Sequence, residues 1–174
     1  MSDTQETPQE TPQQLPPLMV NVQYIKDLSF EVPNAPDIYA SLRSQPAVQI
    51  NLDVQARTIQ EGGNVYEVVL SVKADAREPA ATGNGNGVAP TEVRVVFIAE
   101  LHYAGVFTLN GVPPEAVEPL LLIECPRLLF PFARAVLSDV TREGGFPPVL
   151  LQPIDFVGLW QARRAQAGQP VANA

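Results

Sequence analysis

Cysteine occurs once in these 174 residues, at Cys125, which excludes an intramolecular disulfide. Histidine also occurs once, at His102. That pair cannot furnish the roughly four ligands of a zinc site. No CxxC, no HExxH and no glycine-rich phosphate loop between strand and helix is present. Charge is scarce: 17% of residues are charged, against about 25% in an ordinary domain. No apolar run reaches the roughly 18 residues of a membrane span, and the first residues have neither the basic nor the apolar region of a secretory signal. A soluble, cytoplasmic, non-enzymatic protein without metal or cofactor is the expectation.

What is abundant is apolar surface. Hydrophobic residues make up 45% of the chain, so it should expose apolar patches or cover them by self-assembly. The net charge of −8 disfavours nucleic acid and anionic lipid as partners and suits a basic protein.

Residues 1–17 are acidic and rich in Gln, Thr and Pro, as is usual for a disordered tail; residues 168–174 are expected to be disordered as well. Between them, 18–167 reads as one domain. Alternation predicts strands over about Met19–Val32, Ala47–Ile59, Val65–Ala76 and Thr91–Leu109. In the first, Val20, Val22, Tyr24, Leu28 and Phe30 are expected on one face, with Asp27, Ser29 and Glu31 on the other. Glu61-Gly62-Gly63-Asn64 reads as a hairpin turn and Gly83–Gly87 as a flexible loop. Asp37 to Pro46 is expected to be irregular. From Pro114 the period becomes helical. Pro119, Pro126 and Pro131 forbid one ideal helix, so a short helix, a kink near Cys125-Pro126 and a longer helix to Arg142 are expected, capped by Gly144-Gly145. Asp155 is the expected N-cap of a last helix through Gln166. Strands followed by helices give an α+β fold, an antiparallel sheet covered on one face.

Four blocks then carry a resemblance. They are Tyr24 to Pro36 (reading YIKDLSFEVPNAP), Val65 to Leu70 (VYEVVL), Glu100 to Leu109 with Gly105, Val106 and Phe107, and Cys125 to Trp160. In this order they span most of the chain, which resembles the SecB family of bacterial export chaperones. The loop Arg77–Pro90 looks longer than usual for the family, and Ser44-Gln45-Pro46 lacks a tryptophan found in some members. The resemblance implies a four-stranded antiparallel Greek-key sheet with strand one beside strand four, a homotetramer built as a dimer of dimers, unfolded secretory precursors as clients and the SecA motor as partner, without ATP or metal. It also carries a SecA-docking surface onto Asp27, Glu31, Ile98 and Glu100. A SecB-like adaptor dedicated to one client, such as a toxin–antitoxin pair, is the alternative.

The apolar surplus suggests where clients are gripped. Ile38, Tyr39 and Leu42 have no strand of their own to bury them. Val48 and Ile50 share a strand face, and Phe146, Leu150, Phe156 and Trp160 surround the last helix; together they are the expected client groove. Leu128, Leu129, Phe132 and Val136 are spaced along one helix face and could be core or subunit interface; the resemblance places this helix between dimers. A Cys125–His102 nucleophilic pair is conceivable, but a thiol in an apolar helix junction is usually inert packing.

Overall fold

The computed structural model describes residues 15–42, 44–78 and 93–167. Expectations for most of the 1–17 tail, the Gly83–Gly87 loop and the 168–174 tail lie outside the described residues. Pro16 and Pro17, at the foot of the tail, accept hydrogen bonds from Asn110 at 3.0 and 2.9 Å.

Four antiparallel strands form one sheet: β1 (Leu18–Glu31), β2 (Ala47–Thr58), β3 (Val65–Arg77) and β4 (Val95–Leu109). Their order in space is β1-β4-β3-β2, a Greek key in which β1 closes beside β4 and β2 is left as an edge. One face is apolar. Val68, Leu70, Val72, Ala74 and Ala76 of β3 and Phe97, Ala99, Leu101 and Phe107 of β4 are buried there, as period two demands.

The expected phase of β1 is corrected. Extra residues at Asn21 and Lys26 shift its register against β4. Each β-bulge reverses the side-chain alternation that follows it. Val20, Ile25, Leu28 and Phe30 pair with inner-face residues of β4, whereas Val22 and Tyr24 pair with Val106 and Ala104 on the outer face. Unbroken alternation could not foresee the two interruptions.

The helical half is α1 (Asp37–Ser41), α2 (Pro114–Pro119), α3 (Cys125–Glu143) and α4 (Phe156–Ala167). The short α1 lies within a segment expected to be irregular and buries Ile38. The expected kink is a π-helical turn, Leu120–Glu124, between α2 and α3. A wider turn there accommodates Pro126, which has no N–H to give Leu122 and would crowd its carbonyl. At the end of α3, Gly145 has φ +84°; its N–H bonds Arg142 and that of Phe146 bonds Thr141, satisfying two last-turn carbonyls as a Schellman cap does. Asp155 caps α4 through bonds of 3.1 Å from the N–H groups of Val157 and Gly158. Leu129, Ala133 and Leu137 of α3 and Phe156 of α4 close the core over the sheet. Among the described residues no helix is long and apolar enough to cross a membrane.

Candidate functional site

An open cavity of about 520 Å³ lies between the edge strand β2 and the extended segment that joins α3 to α4. Val48 and Ile50 form one wall; Pro147, Val149, Leu150 and Ile154 form the other; Phe97 and Phe146 make the floor. The second wall stays extended because Pro147, Pro148 and Pro153 lack N–H groups for a helix or ladder. It is pinned where the Val149 N–H donates to the Thr141 hydroxyl at 3.0 Å, while that hydroxyl donates back to the Leu137 carbonyl at 2.9 Å. The floor is a packed aromatic group: the Phe97 and Phe146 rings lie 5.0 Å apart, Phe30 stands 5.4 Å from Phe97, and Tyr39 stacks on Phe146 at 5.2 Å.

The expected groove residues divide. Val48, Ile50, Phe146 and Leu150 line this cavity, and Leu150 leaves 58% of its surface open. Tyr39 stands beside the floor, its hydroxyl donating to the Gly144 carbonyl at 2.9 Å. Leu42 packs against the core from its margin. Trp160 lines a separate cavity of about 280 Å³ with Leu52, Val54 and Arg163. Ile38 and Phe156 are fully buried: tertiary packing claimed both as core. Phe97 and the prolines of the wall went unassigned. Alternation put Phe97 on the inner face, and the fold adds that its ring, buried beneath Phe30 and Phe146, underlies the cavity.

The opposite face of the sheet gathers Asp27, Glu31, Ile98 and Glu100. Glu31 pairs directly with Ile98, Ser29 with Glu100 and Asp27 with His102, so all four side chains share one face. Asp27 and Glu31 are exposed; Ile98 and Glu100 are half-buried. Lys73 of β3 bonds to the Glu100 carboxylate. Farther along the same face sits Glu67, opposite Val106 and 2% exposed although it belongs to the solvent face. It accepts from the Tyr24 hydroxyl, from Lys26 Nζ at 2.9 Å and from Arg57 Nε at 2.5 Å. Burial works to raise its pKa; the hydrogen bonds from Tyr24, Lys26 and Arg57 outweigh that and lower it to about 2.

His102 is on this outer face, its Nδ1 2.9 Å from the Ser71 hydroxyl. Cys125 is fully buried in the core on the other side of the sheet, and burial pushes its thiol up to about 12. The sheet separates the two side chains, so the conceivable nucleophilic pair does not form. The helix-face residues also split. Leu128 and Phe132 are exposed, Val136 is half-buried, and Leu129 is fully buried against Phe107 and Gly105. Leu129 is therefore core rather than interface.

The family profile described as "Preprotein translocase subunit SecB" matches residues 11–167. The chain belongs to the SecB family. Among its relatives, the protein-export protein SecB of Acidiphilium cryptum is 61% identical over the whole of both chains. That of Granulibacter bethesdensis is 63% identical over 98% of this chain and 96% of the relative. Among solved structures, the SecB-like chaperone of Mycobacterium tuberculosis, in complex with a peptide from an antitoxin, superposes with a TM-score of 0.60 at 13% identity, covering 79% of this chain and 91% of that one; this likeness speaks for the fold. As a SecB-family protein the chain is a chaperone of preprotein export, and the dedicated single-client adaptor is not favoured.

Proposed function

We propose that this SecB-family protein is an ATP-independent holdase of the cytoplasm. It grips unfolded precursor segments in the trough between β2 and the Phe146–Ile154 segment and presents them to SecA. The observation that carries this reading is an open apolar cavity running beside the outer edge of β2, which no other strand among the described residues pairs. Rigid aromatics offer contact area at low entropic cost, and a free edge offers main-chain hydrogen bonds indifferent to sequence. Folded proteins hide such segments, so only unfolded chains bind. The direct test is aggregation of a denatured precursor without nucleotide. The wild-type protein keeps it soluble, Val48→Asp with Leu150→Asp does so poorly, and equal protection by both proteins would refute the groove.

SecA docks on the outer face through Asp27, Glu31, Ile98 and Glu100. Carboxylates steer a basic partner, and the isoleucine contact slows its departure. Calorimetry with Asp27→Ala and Glu31→Ala together checks this: affinity falls and the salt dependence flattens, and an unchanged isotherm refutes the assignment.

Self-assembly into a tetramer covers the remaining apolar surface. Ile25 and Leu28 of β1 are open, and Ile25 pairs with Tyr103, whose ring stacks with that of Phe132 at 6.2 Å. Phe132 and Leu128 leave 50% and 42% of their surfaces uncovered in the single chain. Native mass spectrometry should give a tetramer that Phe132→Glu breaks into smaller species; a wild-type monomer at micromolar concentration would exclude the assembly.

A further inference from the structure

The edge of β2 has a defined chemistry. In an antiparallel ladder alternate residues bond the neighbouring strand and those between point their N–H and C=O groups away. The Ile59 N–H, just past β2, bonds the Val65 carbonyl, so odd-numbered positions face β3. Even-numbered positions face outward, and the Val54 carbonyl bears this out: it accepts a bond from Nη1 of Arg163 on α4. By the same period Val48, Ile50 and Leu52 offer their main-chain groups to the edge.

The same four residues line the cavities beside that edge. Val48 and Ile50 line the 520 Å³ cavity, and Leu52 and Val54 the 280 Å³ cavity. A further one, lined by Val54 and Ala56, follows. Arg163 lines both of the last two. It lies where the trough would otherwise run on, and its guanidinium is also 3.5 Å from the Asp53 carboxylate. A charge-assisted bond to a carbonyl is among the stronger hydrogen bonds a side chain makes. Among the described residues nothing bonds the outward main-chain groups of Val48, Ile50 and Leu52, whereas at Val54 Arg163 already holds the acceptor.

We propose that Arg163 is the stop that limits client pairing: an extended precursor segment adds as a strand against Val48, Ile50 and Leu52 and ends at Val54. This rests on the client-groove reading above, and it adds to that reading a main-chain register and a length. From Val48 to Val54 is roughly 20 Å at about 3.3 Å per residue, so pairing is complete within about 6 or 7 client residues. Removing the guanidinium frees the Val54 carbonyl and joins the second and third cavities. Arg163 leaves 53% of its side chain exposed, so its replacement leaves the core intact.

The test is fluorescence anisotropy of the full-length protein with labelled apolar peptides of graded length, about 4 to 12 residues. A matched set carries N-methylated amides at alternate positions. For the wild type, affinity climbs with length and levels off near 7 residues, and N-methylation weakens it at least tenfold. Arg163→Met leaves the shorter peptides unchanged while affinity for the longer ones keeps rising, about three- to tenfold beyond the wild-type plateau. Coincident length curves for the two proteins, with peptides bound normally, would overturn the stop while leaving the groove in place. Tight binding indifferent to N-methylation would overturn strand pairing. Failure of every peptide to bind either protein would overturn the groove reading and the stop together.

Discussion

Lys26 stands in a bulge of β1, yet its ammonium lies 2.9 Å from the carboxylate of Glu67 on β3, across the whole width of β4. The bulged residue is thus tied to a strand that is not a neighbour of β1 in the sheet. Tyr24 makes a second tie to the same carboxylate, and Arg57 reaches it from β2. Ala104 and Val106, the β4 residues beneath these bridges, are small enough to let them pass. Beyond the bulge Phe30 packs on Phe97 and Phe146. The bulge reconciles two demands on one strand, Tyr24 outward to Glu67 and Phe30 inward to the core, and it leaves Asp27 and Glu31 on the solvent face.

This arrangement makes part of the stability dependent on acid. The Glu67 carboxyl titrates near 2 in the folded protein, below its ordinary 4.5. Its contribution is complete above about pH 4.5 and is lost as pH falls from there toward 2, because protonation removes the charge that Tyr24, Lys26 and Arg57 bind. Glu67→Gln should cost about 1–3 kcal/mol at pH 7 and should flatten the fall in stability between pH 4.5 and 2. Urea unfolding across that range checks both; parallel pH profiles for the two proteins would mean the cluster contributes no linkage.

Lys73 predicts a gain rather than a loss. Its ammonium is bonded to Glu100, which raises the lysine's pKa, so one carboxylate of the proposed docking face already carries a counter-charge. A basic partner must share or displace it. Lys73→Ala should tighten SecA binding by about twofold to fivefold at low salt, an advantage that shrinks as salt screens the face. Unchanged or weakened affinity in calorimetry would show that the Lys73–Glu100 pair does not compete with the partner.

Gly144 follows α3 where Phe30 comes closest. A Cβ there would stand 2.2 Å from Phe30 Cε1, well inside contact distance, and the ring cannot yield freely because it packs on Phe97 and Phe146. Gly144→Ala should destabilise by about 1–3 kcal/mol through overpacking. Adding Phe30→Leu should recover part of the loss, read as coupling in a double-mutant cycle of urea midpoints. Strictly additive losses would show that the two sites do not meet.

Cys125 should be chemically silent in the native state. Its thiol is buried in the core and held neutral up to about 12, and the thiolate is the nucleophile. At pH 8 an aromatic disulfide reagent should titrate no thiol until denaturant is added, and then one per chain; rapid native labelling would contradict its burial.

The sequence by itself determined the strands of the sheet, the proline-interrupted helical half, the Asp155 cap, the Gly144-Gly145 stop and the family, because periodicity and the backbone limits of proline and glycine are local properties. It also supplied the residues of the carboxylate patch, through the likeness of whole blocks. Tertiary structure alone decided the phase of β1, since a bulge depends on partners in other strands. It alone sorted Ile38, Phe156 and Leu129 into the core while leaving Leu150 and Phe132 uncovered. One apolar residue reads like another along a chain, and only packing in three dimensions determines which of them run out of neighbours.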